Sequence, residues 1–517
     1  MFRFLHIADI HLGKYQHQSA ERYGDYFAAL ESVVAHARRE KVDALLIAGD
    51  LFDEQEPAAE TIRRAARALR PLRENGIPVY AIEGNHDRRK RTEPACALDI
   101  LAGEGYLRLL RPSVEDQKLA LLPHDEEQGG AMVEAAEGVV IAGLGFLGHS
   151  IEEYHRQATE QLPEDAFVIL LSHAMVSSDE QTLEYGCIAY DDLEPLCERV
   201  GYLALGHRHT RVGLEGEMNG WVFNPGSLEY VNSLDYRLPA DLRGFYDVAI
   251  LDATEYDAWC GGELRLADEA QQEDTSGAPF ARPIEPQRGL YTHLVVHHIP
   301  TDKRPAVTLR PDITGCAHPD AVTAAVRTAA EDTLDEDTLD EDLRARRPIV
   351  IVRLQGTLAI SRSRLPRAAV TQLLQEEFDA LHVEVMDRDL LGTADAEALL
   401  VDDGDLEQVA DRARAIAADL LKARGIAVGR EADLSAALID MKTQLHGSAK
   451  SPSKEVLQAM RQQLLPFVEF GDEDVSADDD TDTTHVPGEE AESSREDADA
   501  REDADAREDA GADGGAQ

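Results

Sequence analysis

Short apolar runs alternate with amphipathic stretches over the first 210 residues of this 517-residue chain. Six runs rich in Val, Ile, Leu and Ala predict strands, at residues 4–8, 44–48, 79–82, 139–142, 168–171 and 202–205. A helix is predicted between the first two strands, because apolar residues recur there at steps of three and four: Tyr23, Phe27, Leu30, Val34 and Ala37. A second helical stretch begins at Pro57. This alternation favours a layered α/β domain, and we assign it residues 1–270.

The remainder of the chain divides by composition into four parts. A polar, proline-rich stretch at 271–288 predicts a linker. Residues 289–392 predict a small α/β domain, with helices near 321–330 and 366–378 and strands at 349–354 and 381–385. Three amphipathic stripes within 393–470 predict a helical region. Residues 471–517 are mostly Asp, Glu, Ala and Gly, and we expect disorder because they cannot bury enough apolar surface to fold.

The chain is strongly acidic, with 100 Asp and Glu against 51 Lys and Arg and a formal net charge of −49. Residues 471–517 hold 19 acids and three arginines, so −33 of that charge remains on the first 470 residues. Such a surface repels itself at ordinary ionic strength, whereas at 1 M salt the Debye length is only about 3 Å. The composition favours a halophilic protein adapted to molar salt. The alternative is an ordinary acidic protein with a disordered tail.

Cysteine usage and hydropathy argue against two classes of protein. Five cysteines are scattered without a Cys-x-x-Cys pair, which fits neither a disulfide framework nor a zinc cluster. No apolar run approaches the ~18 residues that a membrane-spanning helix needs. The chain opens on a strand pattern without the layout of a signal peptide. We therefore expect a cytoplasmic protein with no membrane partner.

Five short motifs rich in His, Asp and Asn occur in order, and each follows a predicted strand. They are Asp9-Ile10-His11, Gly49-Asp50-Leu51-Phe52-Asp53, Gly84-Asn85-His86-Asp87, Ser172-His173 and Gly206-His207-Arg208-His209. Loops at the carboxyl ends of strands are where α/β sheets gather their sites. Carboxylate, imidazole and amide-oxygen ligands together suit Mn²⁺, Fe or Zn²⁺ better than Mg²⁺ or Ca²⁺. Taken singly, each residue could equally cap a helix or close a turn, but the ordered set predicts a metal site.

The ordered set resembles the calcineurin-like metallophosphoesterase family, over roughly the first 225 residues. The resemblance implies a four-layer sandwich, in which two packed mixed sheets are flanked by helices, with the small α/β domain as a cap. It implies two cations about 3.5–4 Å apart that clamp the attacking and leaving oxygens at phosphorus. His86 would face the scissile phosphate as general acid or transition-state stabiliser, with its ring oriented by Asp87. The implied ligands are Asp9, His11, Asp50 and His209 for the first cation, and Asp50, Asn85, His173 and His207 for the second.

Within this superfamily, the stretch from Ile7 to Gly13 and the Asp50 motif are most similar to the SbcD nuclease and its archaeal and eukaryotic relatives, the meiotic recombination eleven family. Ser/Thr protein phosphatases close the second motif with Asp-Arg-Gly, whereas Asp53 is followed here by Glu54. Archaeal and eukaryotic members commonly have His where this chain has Asp53. An imidazole's catalytic role is therefore lost at this position, which leaves the balance of exonuclease and endonuclease activity open.

The resemblance implies a nuclease subunit for DNA double-strand-break repair, with two Mn²⁺ per subunit. It would act as an exonuclease on DNA ends and as an endonuclease on single strands and hairpins. The implied partner is a coiled-coil ABC ATPase of the SbcC or Rad-fifty type, docked by the helical region at 393–470. A homodimer within a heterotetramer is also implied, with residues 23–39 and 57–74 as candidate dimer faces. Together with the acidity, the resemblance indicates a halophilic archaeon as the source.

Two rival functions are open, and the first of them shares every metal ligand. One is a phosphodiesterase for nucleotides or cyclic nucleotides, against which the ~290 residues beyond the core and activity on polymeric DNA would count. The other is a mainly structural tether of DNA ends for the ATPase. DNA binding by so acidic a chain needs local cations. The run Arg88-Arg89-Lys90-Arg91 could hold phosphates beside the metals, or it could be a solvated charge run.

Overall fold

The computed structural model describes residues 1–90, 92–177, 186–212, 221–233, 235–237, 239, 242–262, 280–334, 346–388 and 390–391. All of them fall in the first of two compact units, Met1–Val401. The predicted helical region at 393–470 and the predicted disordered tail at 471–517 lie outside the described residues. None of the helices in the described part combines the length and apolarity that crossing a lipid bilayer requires.

The described strands and helices follow the predicted alternation. The strands are β1 (Phe2–Ile7), β2 (Ala44–Ile47), β3 (Val79–Ala81), β4 (Arg108–Leu109), β5 (Ser113–Glu115), β6 (Lys118–Ala120), β7 (Met132–Ala136), β8 (Val139–Gly143), β9 (Phe167–Ser172), β10 (Met175–Ser177), β11 (Cys187–Ala189), β12 (Val200–Leu205), β13 (Val222–Phe223), β14 (Gly244–Leu251), β15 (Phe280–Arg288), β16 (Tyr291–Pro300), β17 (Ala306–Leu309), β18 (Ile349–Arg353), β19 (Gly356–Thr357), β20 (His382–Met386) and β21 (Leu390–Leu391). The helices are α1 (Ala20–Glu40), α2 (Ala59–Glu74), α3 (Ala97–Gly103), α4 (Ile151–Thr159), α5 (Tyr190–Leu193), α6 (Ala253–Cys260), α7 (Pro319–Leu334) and α8 (Arg367–Glu377).

Two mixed sheets form the centre of the first domain. The larger has seven strands in the order β15-β16-β14-β1-β2-β3-β4, and the smaller has five in the order β13-β12-β9-β8-β7. β1 to β4 run parallel to one another, whereas β14 to β16 pair antiparallel. In the smaller sheet β8, β9, β12 and β13 are parallel and only β7 is antiparallel. Both sheets are thus mixed, as the resemblance implied.

The inner faces of the two sheets pack against each other. Phe4 and Tyr80 of the larger sheet share a buried cluster with Ile169, Tyr202 and Phe223 of the smaller one, and the rings of Tyr202 and Phe223 stack at 4.6 Å. Burying each such side chain contributes roughly 1.5–3 kcal/mol. Helices α1, α2 and α3 cover the outer face of the larger sheet, and α4 and α5 cover that of the smaller. The predicted four-layer sandwich is confirmed.

The apolar stripes of α1 and α2 belong to this core. Phe27 and Leu30 of α1 and Leu69 and Leu72 of α2 are almost fully buried in one cluster. The outward side of α2 is polar, because Arg63, Arg67 and Arg70 are exposed. Because the sheet covers the apolar faces of α1 and α2, the predicted dimer contact through residues 23–39 and 57–74 would use their outward sides, and it stays a prediction. A helix beginning at Pro57 was predicted, and α2 begins two residues later.

The predicted linker at 271–288 does not separate the two domains where expected. Residues 280–288 form β15, an edge strand of the larger sheet, and β16 pairs with the whole length of β14. Prolines at 283 and 286 suggested a linker, but an edge strand tolerates proline because one row of its amides has no partner strand. The first domain therefore extends to Pro300, and the small domain begins near Ala306 rather than at residue 289.

The small domain is a parallel three-stranded sheet, β17-β18-β20, packed with α7 and α8 around its own core. It is fastened to the first domain by apolar and charged contacts. Tyr230 and Tyr236 of the first domain cluster with Ile349 and Ile351 of β18. At the junction, the buried guanidinium of Arg304 donates to both carboxylate oxygens of Asp25 in α1, at 2.7 and 2.9 Å, a paired geometry that is stronger than a single ion contact.

Candidate metal centre

The five motifs meet at one edge of the sandwich. β1, β2 and β3 are parallel neighbours in the larger sheet, and β9 and β12 are parallel neighbours in the smaller one. Each motif occupies the loop at the carboxyl end of one of these strands. Parallel strands bring such ends together, and the packing of the two sheets brings both sets of loops to one place.

The loops after β1 and β2 are tied together through their backbones. The amides of Ile10 and His11 both donate to the carbonyl oxygen of Asp50, at 2.9 and 3.1 Å. Asp9, His11, Asp50 and His207 all adopt left-handed backbone, with φ of 53°, 51°, 51° and 76°. Such conformations cost of order 1–3 kcal/mol for residues other than glycine, and they concentrate at functional sites. Four of the seven predicted ligands are therefore held in strained positions by their surroundings.

The first predicted ligand set is assembled around two unpartnered atoms. Asp9, His11 and His209 each place one ligand atom within 4.8 Å of the other two. Oδ1 of Asp9 accepts from the amide of His207 at 3.0 Å. Oδ2 of Asp9 and Nε2 of His11 are buried with no hydrogen-bond partner. Leaving a buried polar atom unpaired costs about 1–3 kcal/mol, so both atoms are placed for a contact that protein atoms do not supply.

The second predicted ligand set is centred on His173. Its Nδ1 donates to the carbonyl oxygen of Ala48 at 2.8 Å, which directs Nε2 into the site. Nε2 lies 3.3 Å from Oδ2 of Asp50 and 3.1 Å from Oδ1 of Asn85. The ring of His207 lies edge-on to that of His173, with centroids 5.0 Å apart. All four residues predicted for the second cation are therefore neighbours.

Asp50 lies between the two sets. Its Oδ2 is 3.3 Å from Nε2 of His173 and 3.8 Å from Nε2 of His11. Its Oδ1 accepts from the amide of His86 at 2.9 Å. Asp9 and Asp50 also form a close group with His173. A carboxylate in this position can be shared by two cations.

The site buries more negative charge than it compensates. Burial raises the pKa of Asp9 to about 6, and burial together with the charge of Asp50 raises the pKa of Asp87 to about 7. Burial also works to raise the pKa of Asp50, but the charge of His173 and its hydrogen bond hold that pKa below its usual range. Burial works to lower the pKa of His173, yet Asp50 raises it to about 9. A cation between these groups would supply the missing positive charge.

The environment of His86 differs from the prediction. Nδ1 of His86 donates to the main-chain carbonyl of Asp53 at 2.8 Å, so Asp53 and not Asp87 orients this ring. The carboxylate of Asp87 is buried and accepts from the amides of Gly84 and Phe52, at 2.8 and 3.2 Å. Buried amides of a loop need acceptors, and Asp87 supplies them. The prediction that Asp87 orients His86 is wrong, and Asp87 instead joins the loops after β2 and β3.

Several supporting residues were not predicted. Asn224 donates through Nδ2 to the carbonyl oxygen of Gly206 at 3.0 Å and accepts from the amide of Gly226 at 2.9 Å, which braces the loop of His207 and His209. Nδ1 of His209 lies 3.4 Å from Nδ2 of Asn232. The turn signal Asn-Pro-Gly after β13 was visible in the sequence, but nothing local indicated which loop it supports.

The donor set fits divalent cations. Two unpartnered buried atoms, a carboxylate shared between two groups and an imidazole locked by its second nitrogen are the features that metal sites use. The two predicted sets would hold one cation each, with Asp50 between them. Mixed nitrogen and oxygen donors of this kind suit Mn²⁺, Fe or Zn²⁺.

Comparison with known proteins agrees with this geometry. Residues 2–211 match the model of the calcineurin-like phosphoesterase family, and this stretch contains all five motifs. Residues 2–211 are therefore similar to calcineurin-like phosphoesterase domains, and the two mixed sheets with their covering helices form the four-layer fold that the resemblance implied.

More particularly, the chain is similar to archaeal proteins named DNA double-strand break repair protein Mre11. That of Aeropyrum pernix is 28% identical over 256 residues, which cover 47% of this chain and 59% of the relative. That of Saccharolobus solfataricus is 29% identical over 215 residues, 41% of this chain and 50% of the relative. That of Archaeoglobus fulgidus is 38% identical over 108 residues, 21% and 24% of the two chains. The chain thus spans about half the length of the first two of these relatives. A solved dimetal phosphatase from Danio rerio aligns with 48% of this chain and 92% of its own, at 14% identity and a TM-score of 0.29.

Proposed function

We propose that this protein is a two-metal DNA nuclease that acts in double-strand-break repair. The observation that carries the proposal is the pair of ligand sets meeting at Asp50, with Oδ2 of Asp9 and Nε2 of His11 buried and unpartnered. Two divalent cations held there would polarise phosphoryl oxygens and lower the pKa of bound water, which is the chemistry that phosphodiester hydrolysis needs. We propose Mn²⁺ for both, with Fe or Zn²⁺ as the alternatives that the same donors allow.

We propose His86 as the residue that exchanges a proton with the phosphodiester. Its Nδ1 is committed to the carbonyl oxygen of Asp53 at 2.8 Å, so Nε2 is the atom that remains for the substrate. The ring lies edge-on to His11, with centroids 4.8 Å apart, which keeps it beside the first ligand set. General acid–base catalysis by a positioned imidazole contributes typically 10²–10⁴-fold.

DNA is the proposed substrate because the relatives are named for DNA break repair and because basic residues adjoin the site. Arg88 lies over the ring of Phe146 at 5.5 Å, and Lys90 pairs with Glu56 at 2.8 Å. Arg88 and Arg89 are exposed, and Arg91 lies outside the described residues. Exposed arginines next to the metal centre would offset the acidic surface locally, since phosphate contacts dominate DNA affinity.

The partner is proposed from the relatives and from the amphipathic stripes at 393–470. We propose that this region docks a coiled-coil ABC ATPase through helix-in-groove contacts, and that the subunit acts as a homodimer in a heterotetramer. Deleting residues 405–470 should abolish co-purification with the ATPase. A retained complex would refute the docking proposal and leave the nuclease proposal intact.

The nuclease is tested with purified full-length protein in molar KCl and Mn²⁺, on labelled linear and hairpin DNA. Wild-type protein should cleave both substrates. His86→Ala should lose on the order of 10²–10⁴-fold in kcat while binding Mn²⁺ as the wild type does. The matched control is His318→Ala, since His318 is exposed in the small domain and should leave cleavage unchanged.

Two other outcomes would contradict the nuclease, and a third would contradict only the role of His86. Turnover of bis-p-nitrophenyl phosphate without DNA cleavage would favour the small-molecule phosphodiesterase. DNA binding without hydrolysis of either substrate would favour the structural tether. Equal activity of His86→Ala and wild type would remove His86 from the reaction.

A further inference from the structure

Asp53 contacts both rings that frame the first ligand set. Oδ1 of Asp53 accepts from Nδ1 of His11 at 3.0 Å, and the main-chain carbonyl of the same residue accepts from Nδ1 of His86 at 2.8 Å. The two rings are perpendicular, with centroids 4.8 Å apart. One residue thus holds a predicted metal ligand through its side chain and the predicted proton-transfer residue through its backbone.

We infer that Asp53 is a positioning residue with two separate roles. Its side-chain carboxylate sets the metal affinity of the first site through His11, whereas its main-chain carbonyl orients His86 for proton transfer. The inference rests on the proposed two-metal function. The two roles can be separated by experiment, because a substitution of the Asp53 side chain removes the carboxylate that contacts His11 and keeps the main-chain carbonyl that contacts His86.

The carboxylate acts on His11 in two ways. With Nδ1 donating to Asp53, the proton of a neutral ring is on that nitrogen, so Nε2 presents its lone pair to the site. Nε2 of His11 is the buried atom that has no hydrogen-bond partner. A carboxylate behind a ligating imidazole also makes the ring a stronger donor and fixes its rotation, and losing such a partner typically weakens metal binding 10–100-fold.

The carboxylate is itself held in place. Nζ of Lys14 donates to the same oxygen of Asp53 at 2.9 Å, and the amide of Asp53 donates to the carbonyl oxygen of Leu12 at 3.1 Å. Lys14 and Leu12 follow His11 in the loop after β1, whereas Asp53 lies in the loop after β2. The contact therefore locks the two ligand loops together as well as orienting the ring.

The test measures metal binding directly, without substrate. Metal-free full-length protein in molar KCl is titrated with Mn²⁺, and free Mn²⁺ is followed by its electron paramagnetic resonance signal. Wild-type protein should bind two ions per chain. In Asp53→Ala one of the two should bind about 10–100-fold more weakly while the other is unchanged, and Asp53→Asn should fall between because its amide oxygen can still accept from His11.

Cleavage of DNA at saturating Mn²⁺ separates the two roles of Asp53. The kcat of Asp53→Ala should return close to the wild-type value, because the backbone carbonyl still holds His86. His86→Ala should behave in the opposite way, with both ions bound and kcat lost. Asp257→Asn is the matched control, since Asp257 is exposed on α6 and should match the wild type in both measurements.

The failures are distinguishable. Wild-type affinity for both ions in Asp53→Ala would overturn the inference and leave the proposed nuclease standing. A kcat of Asp53→Ala that stays low at saturating Mn²⁺ would likewise overturn the inference and leave the proposed nuclease standing. Wild-type protein that binds no divalent cation would overturn the proposed function and this inference together. Should Asp53→Ala fail to fold by circular dichroism, the nearly isosteric Asp53→Asn decides by the same criteria.

Discussion

Two glycines determine how closely the ligand loops approach one another. A Cβ built at Gly84 would lie 2.0 Å from Oδ1 of Asp50, and one at Gly49 would lie 2.2 Å from Nδ1 of His173. Gly49 also has a φ of +90°, a conformation that L side chains rarely adopt. The glycines of the Gly-Asp and Gly-Asn-His-Asp motifs therefore leave the space that the side chains of His173 and Asp50 occupy.

Gly84→Ala should abolish Mn²⁺ binding, because the added methyl group and Oδ1 of Asp50 cannot occupy the same space. Overpacking of this kind costs typically 1–3 kcal/mol in stability. Gly24 in α1 provides the control, since a Cβ there meets nothing within 4 Å. Gly24→Ala should retain Mn²⁺ binding and raise the free energy of unfolding by about 0.5–1 kcal/mol. Calorimetric Mn²⁺ titration and urea unfolding measure both effects, and intact Mn²⁺ binding by Gly84→Ala would contradict the packing argument.

At the scale of elements, one buried carboxylate joins a helix to two strands. Asp247 of β14 accepts from Nε of Arg3 in β1 at 2.7 Å and from Nε2 of His36 in α1 at 2.9 Å. All three residues are at most 7% exposed. Neither strand pairing nor helix packing requires these charges, but together they fix α1 against the sheet at the end opposite the metal centre, near the amino end of β1.

Asp247→Asn should lower the free energy of unfolding at pH 7 by up to about 3–5 kcal/mol, because it leaves the buried Arg3 with only its longer contact to Glu40, at 3.4 Å. Burial works to raise the pKa of Asp247, but the hydrogen bonds and charges of His36 and Arg3 lower it below 3.8. The ionised carboxylate therefore stabilises the native state above pH 3.8, and this contribution is lost as the pH falls through the lower native value.

Urea unfolding of wild type and Asp247→Asn across pH 2.5–7 checks this expectation. The difference between the two proteins should be large at neutral pH and shrink below about pH 4. A difference that stays constant over this range would contradict the assignment to the Asp247 charge. Asp257→Asn, on the exposed face of α6, should track the wild type throughout.

The whole molecule carries a charge that ordinary buffers do not screen well. The first 470 residues alone hold −33 of the formal −49. Self-repulsion of this size destabilises the compact state, and raising the salt from about 0.1 to 1 M shortens the Debye length from about 10 to 3 Å. Salt should therefore have opposite effects on two properties of the protein. Screening of the acidic surface stabilises the fold, whereas screening of the basic residues beside the metal centre weakens DNA contacts.

The melting temperature should rise between 0.1 and 1 M KCl. A chain ending at residue 470 should show nearly the same rise, because the acids of the body remain. Greater stability in dilute buffer than in molar KCl would contradict adaptation to salt. A rise that disappears in the shortened chain would assign the effect to the tail.

Local sequence determined the elements of this protein and the composition of its site. The 3.6-residue period and the strand-length apolar runs predicted α1 and the six sheet strands closely, since local periodicity reports which face of an element is buried. The five motifs indicated a metal site because ligand types and their spacing within a loop are local properties. Pro283 and Pro286 misled for the same reason, because only the neighbours of β15 show that it is an edge strand.

Only the tertiary structure decided which atoms meet. Strand order and sheet packing bring the loop of Asp53 against that of His11, 42 residues earlier, and bring Asn224 under Gly206, 18 residues away. They also place the ring of His86 against the main-chain carbonyl of Asp53 and the carboxylate of Asp87 against the amides of Gly84 and Phe52. These pairings depend on the register between strands distant in sequence, and no local period encodes that register. The ligand types were therefore readable from the chain alone, whereas the contacts that orient them required the fold.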